Sequence, residues 1–198
     1  MSLEFEKKIR SALSIDLPYS NRVHLSHSNA QAAVLVLFGL SREAQPWLLY
    51  IRRAEDTGPH SGQMAFPGGK AETYDQNNPV ETALRETHEE VGVERSRVCV
   101  LGRLPSVVTP SRFEVTPIVG FLNGPMEDVC FKLDPLEVSE TLWVPFSSLL
   151  VDETYRLESI RSGDVNYPID VFQYERYRIW GATGSVTKNL IDRYRLQL

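Results

Sequence analysis

NPVETALRETHEEVG, residues 78–92, is the stretch on which the reading of this chain turns. Asn78 can cap a helix, Pro79 suits the first helical position, and Glu81 stands third, where a carboxylate reaches back to the cap. Gly92 supplies the stop. At the helical period, Val80, Ala83, Leu84, Thr87 and Val91 fall on one side, and Glu86, Glu89 and Glu90 on another. The spacing predicts a helix with one face for a core and one acidic face.

The flanks supply partners for the apolar face. Ala32 to Phe38, AAVLVLF, is continuous and β-branched, and predicts a strand buried on both sides; Trp47 to Ile51 is its expected neighbour. Gly58 to Lys70 holds four glycines and two prolines and is expected as loop, with a short extended piece at Met64 to Phe66. A short helix over residues 3–13 and a polar arm over 14–29, punctuated by Pro18, precede the first strand. Further strands are expected at 98–104, 115–122, 141–144 and 165–172, and a last helix at 183–195.

Composition narrows the class. A chain of 198 residues fits one domain, and 42% hydrophobic with 24% charged residues excludes a mostly disordered protein. A net charge of −5 argues against a nucleic-acid binder, which needs a basic surface to displace phosphate counterions. The opening MSLEFEKKIRSAL lacks the apolar run of a secretion signal. No stretch approaches the roughly 18 apolar residues that span a bilayer. A soluble, cytoplasmic protein is expected, with no membrane partner and room for a homodimer. Cys99 and Cys130 stand in apolar surroundings without CxxC spacing, and are expected as two buried free thiols in a reducing compartment.

Glu86 and Glu90 are an i,i+4 pair and Glu86 and Glu89 an i,i+3 pair, so three carboxylates project into one small volume. Such like-charge pairs cost about 0.2–0.5 kcal/mol each on an exposed helix, too little to exclude a merely solvated face. Two neighbours favour a site. Arg85 is four residues from both Glu81 and Glu89 and can orient a carboxylate. The FPGGK loop, Phe66 to Lys70, can offer carbonyls to a metal or N–H groups, Gly68 among them, to phosphate. Hard divalent ions such as Mg²⁺ or Mn²⁺ favour this oxygen set. FPGGK is not a P-loop, since Met64 and Ala71 stand where that motif needs Gly and Ser or Thr.

Other residues invite a reading. Arg52 and Arg53 end a strand, and alternation sends one of them, taken as Arg53, toward a substrate phosphate. His24 and His27 share helical spacing but lie in the polar arm without a second ligand type. His88 begins no zinc-protease motif, because Gly92 stands where HExxH needs its second His. Tyr174, Tyr177 and Trp180 suit either stacking on a base or core packing.

Gly69 with Arg85-Glu86-Thr87-His88-Glu89-Glu90-Val91-Gly92-Val93 resembles the Nudix box, a glycine followed by REUxEExGU with U apolar. Asp75 stands where the box usually has Glu, two residues farther from Arg85 than usual, and Thr87 replaces an aliphatic residue. Beyond the box, Gly62 to Gly69, Thr116 to Val119, Glu137-Val138, Trp143 to Pro145 and Ile179 to Thr183 resemble the coenzyme A diphosphatase branch, so the likeness runs from about Ala32 to Leu190. Arg53, Ala54 and Gly62 fit an upstream signature of that branch, whereas Gly58 stands at its basic position.

The resemblance implies a Nudix fold of α+β class, an α/β/α sandwich with a mixed β-sheet between helices, filling residues 1–198 as a single domain. It implies Glu86, Glu89, Glu90 and the Gly69 carbonyl as ligands of Mg²⁺ or Mn²⁺. Glu86, Glu89 and Arg85 become the catalytic group, and Arg53 and Gly68 the substrate contacts. The implied reaction is water attack on a nucleoside diphosphate linked to another group. Coenzyme A is the leading substrate; nucleotide sugars, ADP-ribose and dinucleoside polyphosphates stay open, as does a noncatalytic nucleotide sensor. The general base lies on the helix or among Glu114, Glu137 and Glu140.

Overall fold

The computed structural model describes residues 2–15, 30–55, 61–162 and 165–198. Most of the expected arm, with His24 and His27, and the Gly58 position lie outside these residues. In chain order the elements are α1 (Ser2–Leu13), β1 (Ala30–Leu40), β2 (Pro46–Arg53), β3 (Met64–Ala65), β4 (Gly68–Lys70) and α2 (Pro79–Val91). Then follow β5 (Val98–Arg103), β6 (Val107–Val108), β7 (Phe113–Pro125), β8 (Val138–Pro145), α3 (Phe146–Leu149), β9 (Tyr155–Ser162), β10 (Val165–Tyr174), β11 (Tyr177–Ile179) and α4 (Gly181–Arg195).

The main sheet is mixed. β1 runs parallel to β7, from Ala30 opposite Phe113 to Phe38 opposite Phe121. Parallel neighbours require a crossover, and the chain between them contains α2. The other pairings in this sheet, β1 with β2 and β4, β2 with β3 and β8, and β7 with β5 and β6, are antiparallel. Alternation splits the side chains between two cores. Leu35 and Leu37 of β1 with Leu49 and Ile51 of β2 pack with Ala83, Leu84 and Val91 of α2. Val36, Phe38, Leu48 and Tyr50 pack instead with Ile9 of α1 and Val186, Leu190 and Ile191 of α4. Helices therefore cover both faces of a mixed sheet, the expected fold class.

The glycine segment departs from its expected loop. Gly68–Lys70 is a short strand that pairs with β1 at Ala32 to Val34, while β2 pairs with β1 farther along, at Phe38 to Leu40. The sheet thus opens between β1 and β2, and residues 64–70 fill the wedge. Pro67 O accepts a hydrogen bond from Leu35 N at 2.8 Å. Gly68 has a φ of +149°, and a Cβ there would lie 2.3 Å from Ala33 O, so only glycine fits. β6, β9 and β11 were also not expected; β9, β10 and β11 form a second, antiparallel sheet.

The cysteine expectation is corrected: Cys99 and Cys130 are both free but exposed. Cys99 alternates with Val98 and Val100, which pack on the α2-side core, so it takes the other face of β5, 3.8 Å from Arg10 Nη2. No helix among the described residues is long and apolar enough to cross a membrane.

α4 packs on β10, and Gly184 is the contact point. A Cβ on Gly184 would lie 2.2 Å from the Asp170 carbonyl oxygen. Gly184→Ala, which helix propensity alone would make stabilising, is expected to destabilise by about 1–3 kcal/mol, measured by urea denaturation.

Candidate active site

α2 forms as its sequence dictates. Asn78 Oδ1 accepts from Val80 N at 3.1 Å, Pro79 opens the helix, and Gly92 leaves it at φ +73° with its N–H donating to His88 O. Thr87 is buried on the core side and satisfies its hydroxyl by donating to Ala83 O at 2.7 Å. Glu81 does not reach back to the cap as expected; its carboxylate pairs with Arg95 instead.

The three glutamates occupy three different environments. Glu89 is exposed, with its side chain 54% accessible. Glu86 lies against the glycine strand: a Cβ on Gly69 would be 2.5 Å from its carboxyl carbon. Glu90 departs from the expected open acidic face and is only 1% exposed. It lies beneath β4, and its Oε2 accepts from Gly68 N at 2.8 Å. Its Oε1 is buried without a hydrogen-bond partner among the described residues. Burial pushes the Glu90 carboxyl up to about 8, opposed by the Gly68 N–H and by the charge of Arg53. Burial also raises the Glu86 carboxyl, opposed by Arg85.

Arg85 ties these parts together. Its Nε and Nη2 donate to the two oxygens of Asp75, each at 3.0 Å, and Nη2 also donates to Lys70 O at 2.9 Å. Its Nη1 lies 2.8 Å from both Glu86 Oε1 and Glu89 Oε2. Asp75 is buried at 3% exposure, further bonded by Thr82 Oγ1 and by Glu72 N, and the Arg85 guanidinium holds its carboxyl down at about 2. Asp75 and Thr82 thus position Arg85. The sequence signal for Asp75 was its place in the box; for Thr82 there was none beyond helical register with Arg85.

The substrate candidates separate as alternation requires. Arg53 continues the Ile51 side of β2, toward α2; its charge reaches Glu90, and its Nε is buried without a hydrogen-bond partner among the described residues. Arg52 takes the opposite face with Glu140. Gly68, expected to meet phosphate, commits its N–H to Glu90 instead. Among the later carboxylates, Glu137 lies close enough for its charge to raise both Glu86 and Glu90. Glu140 is held by Arg52, Arg176 and the Tyr177 hydroxyl, and Glu114 accepts from Gln31. Tyr177 and Trp180 line a cleft with Arg52, away from α2, and Tyr174 packs against the α4-side core. Among the described residues no three acidic, histidine or cysteine side chains converge as a ready metal cage.

Residues 29–161 match the NUDIX domain. The chain belongs to the Nudix family. It is 36% identical over 171 residues to the uncharacterized Nudix hydrolase NudL of Yersinia enterocolitica, covering 86% of this chain and 85% of that one. It is equally 36% identical over 170 residues to NudL of Yersinia pestis, covering 86% and 82%. A Nudix hydrolase from M. smegmatis, RenU, shares the fold at a TM-score of 0.51 and 20% identity, over 60% of this chain and 72% of that one. The chain is therefore a Nudix hydrolase, an enzyme of the pyrophosphohydrolase class, and enzymes of this family generally use divalent cations.

Two stability predictions follow from opposite pKa shifts. Glu90 in the metal-free protein binds its proton up to about pH 8, whereas an unfolded glutamate loses it near its ordinary value of 4.5. Over that window the folded state holds more protons, so stability falls as pH rises. Glu90→Gln is expected to remove this loss and raise metal-free stability at pH 8 by roughly 3–5 kcal/mol, read from urea melts at pH 5 and 8. Asp75 has the opposite sign: its depressed carboxyl stabilises the fold above its unfolded pKa and loses that contribution as pH falls toward about 2. Asp75→Asn should cost about 3 kcal/mol at pH 7.

Proposed function

We propose that the chain, acting as one catalytic domain, hydrolyses the diphosphate bond of a nucleoside diphosphate joined to another group. The preferred substrate is coenzyme A or a derivative, released as phosphopantetheine and adenosine 3′,5′-bisphosphate. The observation that carries this reading is the buried Glu90 carboxyl, with one oxygen on Gly68 N and the other without a hydrogen-bond partner among the described residues, within reach of the Glu86 charge. Burial makes the ionised form of Glu90 costly despite the Gly68 N–H and the charge of Arg53, and a bound cation would remove that cost. The donors are carboxylate and carbonyl oxygens, which fit Mg²⁺ or Mn²⁺.

Glu86, Glu89 and Glu90, with the Gly69 carbonyl, would hold the cation. When bound, it supplies neutralisation of the bridged phosphates and a water of lowered pKa. Arg85 holds Glu86 and Glu89 in place through its anchor on Asp75. Arg53 presents a guanidinium to a phosphate oxygen, and Gly68 fixes the floor of the substrate site. Proton removal from the attacking water falls to Glu86 or Glu89 on the helix, or to Glu137 from the β7–β8 connection. Coenzyme A rests on the likeness at Gly62 to Gly69, Glu137-Val138 and Ile179 to Thr183. Gly58 at the basic position of the branch signature supports the second reading, the same cleavage on a nucleotide sugar, ADP-ribose or a dinucleoside polyphosphate. We place the enzyme in the cytoplasm.

Glu90→Gln and Glu86→Gln are expected to lower kcat by at least about a thousandfold with Mg²⁺ while near-ultraviolet circular dichroism stays unchanged. Full activity in either variant at saturating Mg²⁺ would overturn the ligand assignment. Mass spectrometry of products from coenzyme A, ADP-ribose, nucleotide sugars and dinucleoside polyphosphates decides the substrate. Phosphopantetheine formation is the expected outcome.

A further inference from the structure

The two arginines that end β2 serve different faces. Arg53 looks toward α2, whereas Arg52 enters a cleft of about 260 Å³ that it shares with Gln63, Arg176, Tyr177, Arg178 and Trp180. β3 forms the wall between the two places. Met64 pairs with Arg52 across the strands, Gln63 O accepts from Arg53 N, and the same segment runs on into the Gly68 strand. A single extended ligand bound at the C-terminal end of β2 can therefore meet both.

The cleft is built for an oxyanion. Arg176 lies over the Tyr177 ring at 4.8 Å and Arg178 over the Trp180 indole at 5.2 Å. A guanidinium over a ring is attracted by the ring's negative face and can still use its N–H groups for hydrogen bonds. Glu140, on β8, draws Arg52 at 3.5 Å and Arg176 at 3.6 Å to the same spot, and accepts from the Tyr177 hydroxyl at 3.2 Å. The described hydrogen bonds occupy two donors of Arg52 and one each of Arg176 and Arg178. Glu158 takes the Arg178 donor at 2.7 Å and Glu55 lies 4.0 Å from Arg52, so each guanidinium has a carboxylate on one edge and N–H groups left on another, which a phosphate can bridge. The Arg176 side chain is 74% exposed, more than a purely structural ion network requires.

We propose that this cleft is a second anionic subsite, which takes a phosphomonoester carried by the nucleoside half of the substrate. Arg52, Arg176 and Arg178 bind its oxygens, and Tyr177 and Trp180 hold Arg176 and Arg178 over their rings. The link between cleft and cleavage site rests on the proposed diphosphatase reading; the anion preference of the cleft does not.

Adenosine 3′,5′-bisphosphate and adenosine 5′-monophosphate test it, because neither contains an anhydride and they differ by one phosphate. Calorimetric titration of the full chain with Mg²⁺ present should give about tenfold tighter binding of the bisphosphate. Arg176→Ala and Arg178→Ala should each bring that preference down toward unity, with thermal melts unchanged. Arg178→Lys, which keeps the charge and loses the fork, should recover only part of it. Equal binding of the two nucleotides, no binding of either, or a preference that survives in both alanine variants would overturn the subsite. Turnover of coenzyme A, measured in parallel, separates the two ideas: discrimination without turnover removes the proposed substrate alone, and turnover without discrimination removes the cleft alone.

Discussion

The Arg85 guanidinium is the joint on which the rest of the site depends. It is fixed from behind by a buried carboxylate, Asp75, and from the side by the Lys70 carbonyl at the end of the glycine strand. Only then does it reach Glu86 and Glu89. A lysine at this place carries the same charge but lacks the planar fork that addresses an acid on one edge and two others on the opposite edge. Helix, loop and strand are held in mutual register by one side chain, so a change in any of them moves the carboxylates.

Glu90 has the complementary part. Where Arg85 is saturated with partners, Glu90 is starved of them, with one backbone N–H for a fully buried group. The wedge between β1 and β2 creates that state, because β4 lies on the helix face that would otherwise meet water. Gly68 and Gly69 permit it: any side chain at Gly68 meets the β1 backbone, and any at Gly69 meets the Glu86 carboxylate. The polypeptide thus tolerates a destabilised carboxylate at the place where charge neutralisation is useful.

What could be read from the sequence follows the range of the forces involved. α2 was legible to its caps, because Asn78, Pro79 and Gly92 act locally and its apolar stripe is periodic. The opposite destinations of Arg52 and Arg53 were legible because strand alternation is a two-residue rule. The family likeness singled out Glu86, Glu89 and Glu90, which the structure sets in three different environments. Glu90's burial was not legible: a wheel shows which residues share a face, not which distant strand will cover it. Nor was β4, whose glycines lack strand propensity and which exists only through pairing with β1. Cys99 misled because its apolar neighbours Val98 and Val100 face the core while strand alternation sends Cys99 to the other side. Glu81 stands where a capping box needs its carboxylate, but Arg95, beyond the helix, claims it.

The parallel register of β1 with β7 also bears on how the molecule comes together in time. It joins positions as distant as Ala30 and Phe113, and β4, α2 and β5 lie within the intervening chain. Closing so large a loop carries an entropic penalty that must be met before the contacts reward it, and sheets of this kind assemble slowly. The α2 helix and the β9–β10–β11 meander use near neighbours and can form early. β2 with β8 spans a longer stretch still, from Trp47 to Pro145, so chain entropy favours the local elements first and the long-range pairings that complete the main sheet last.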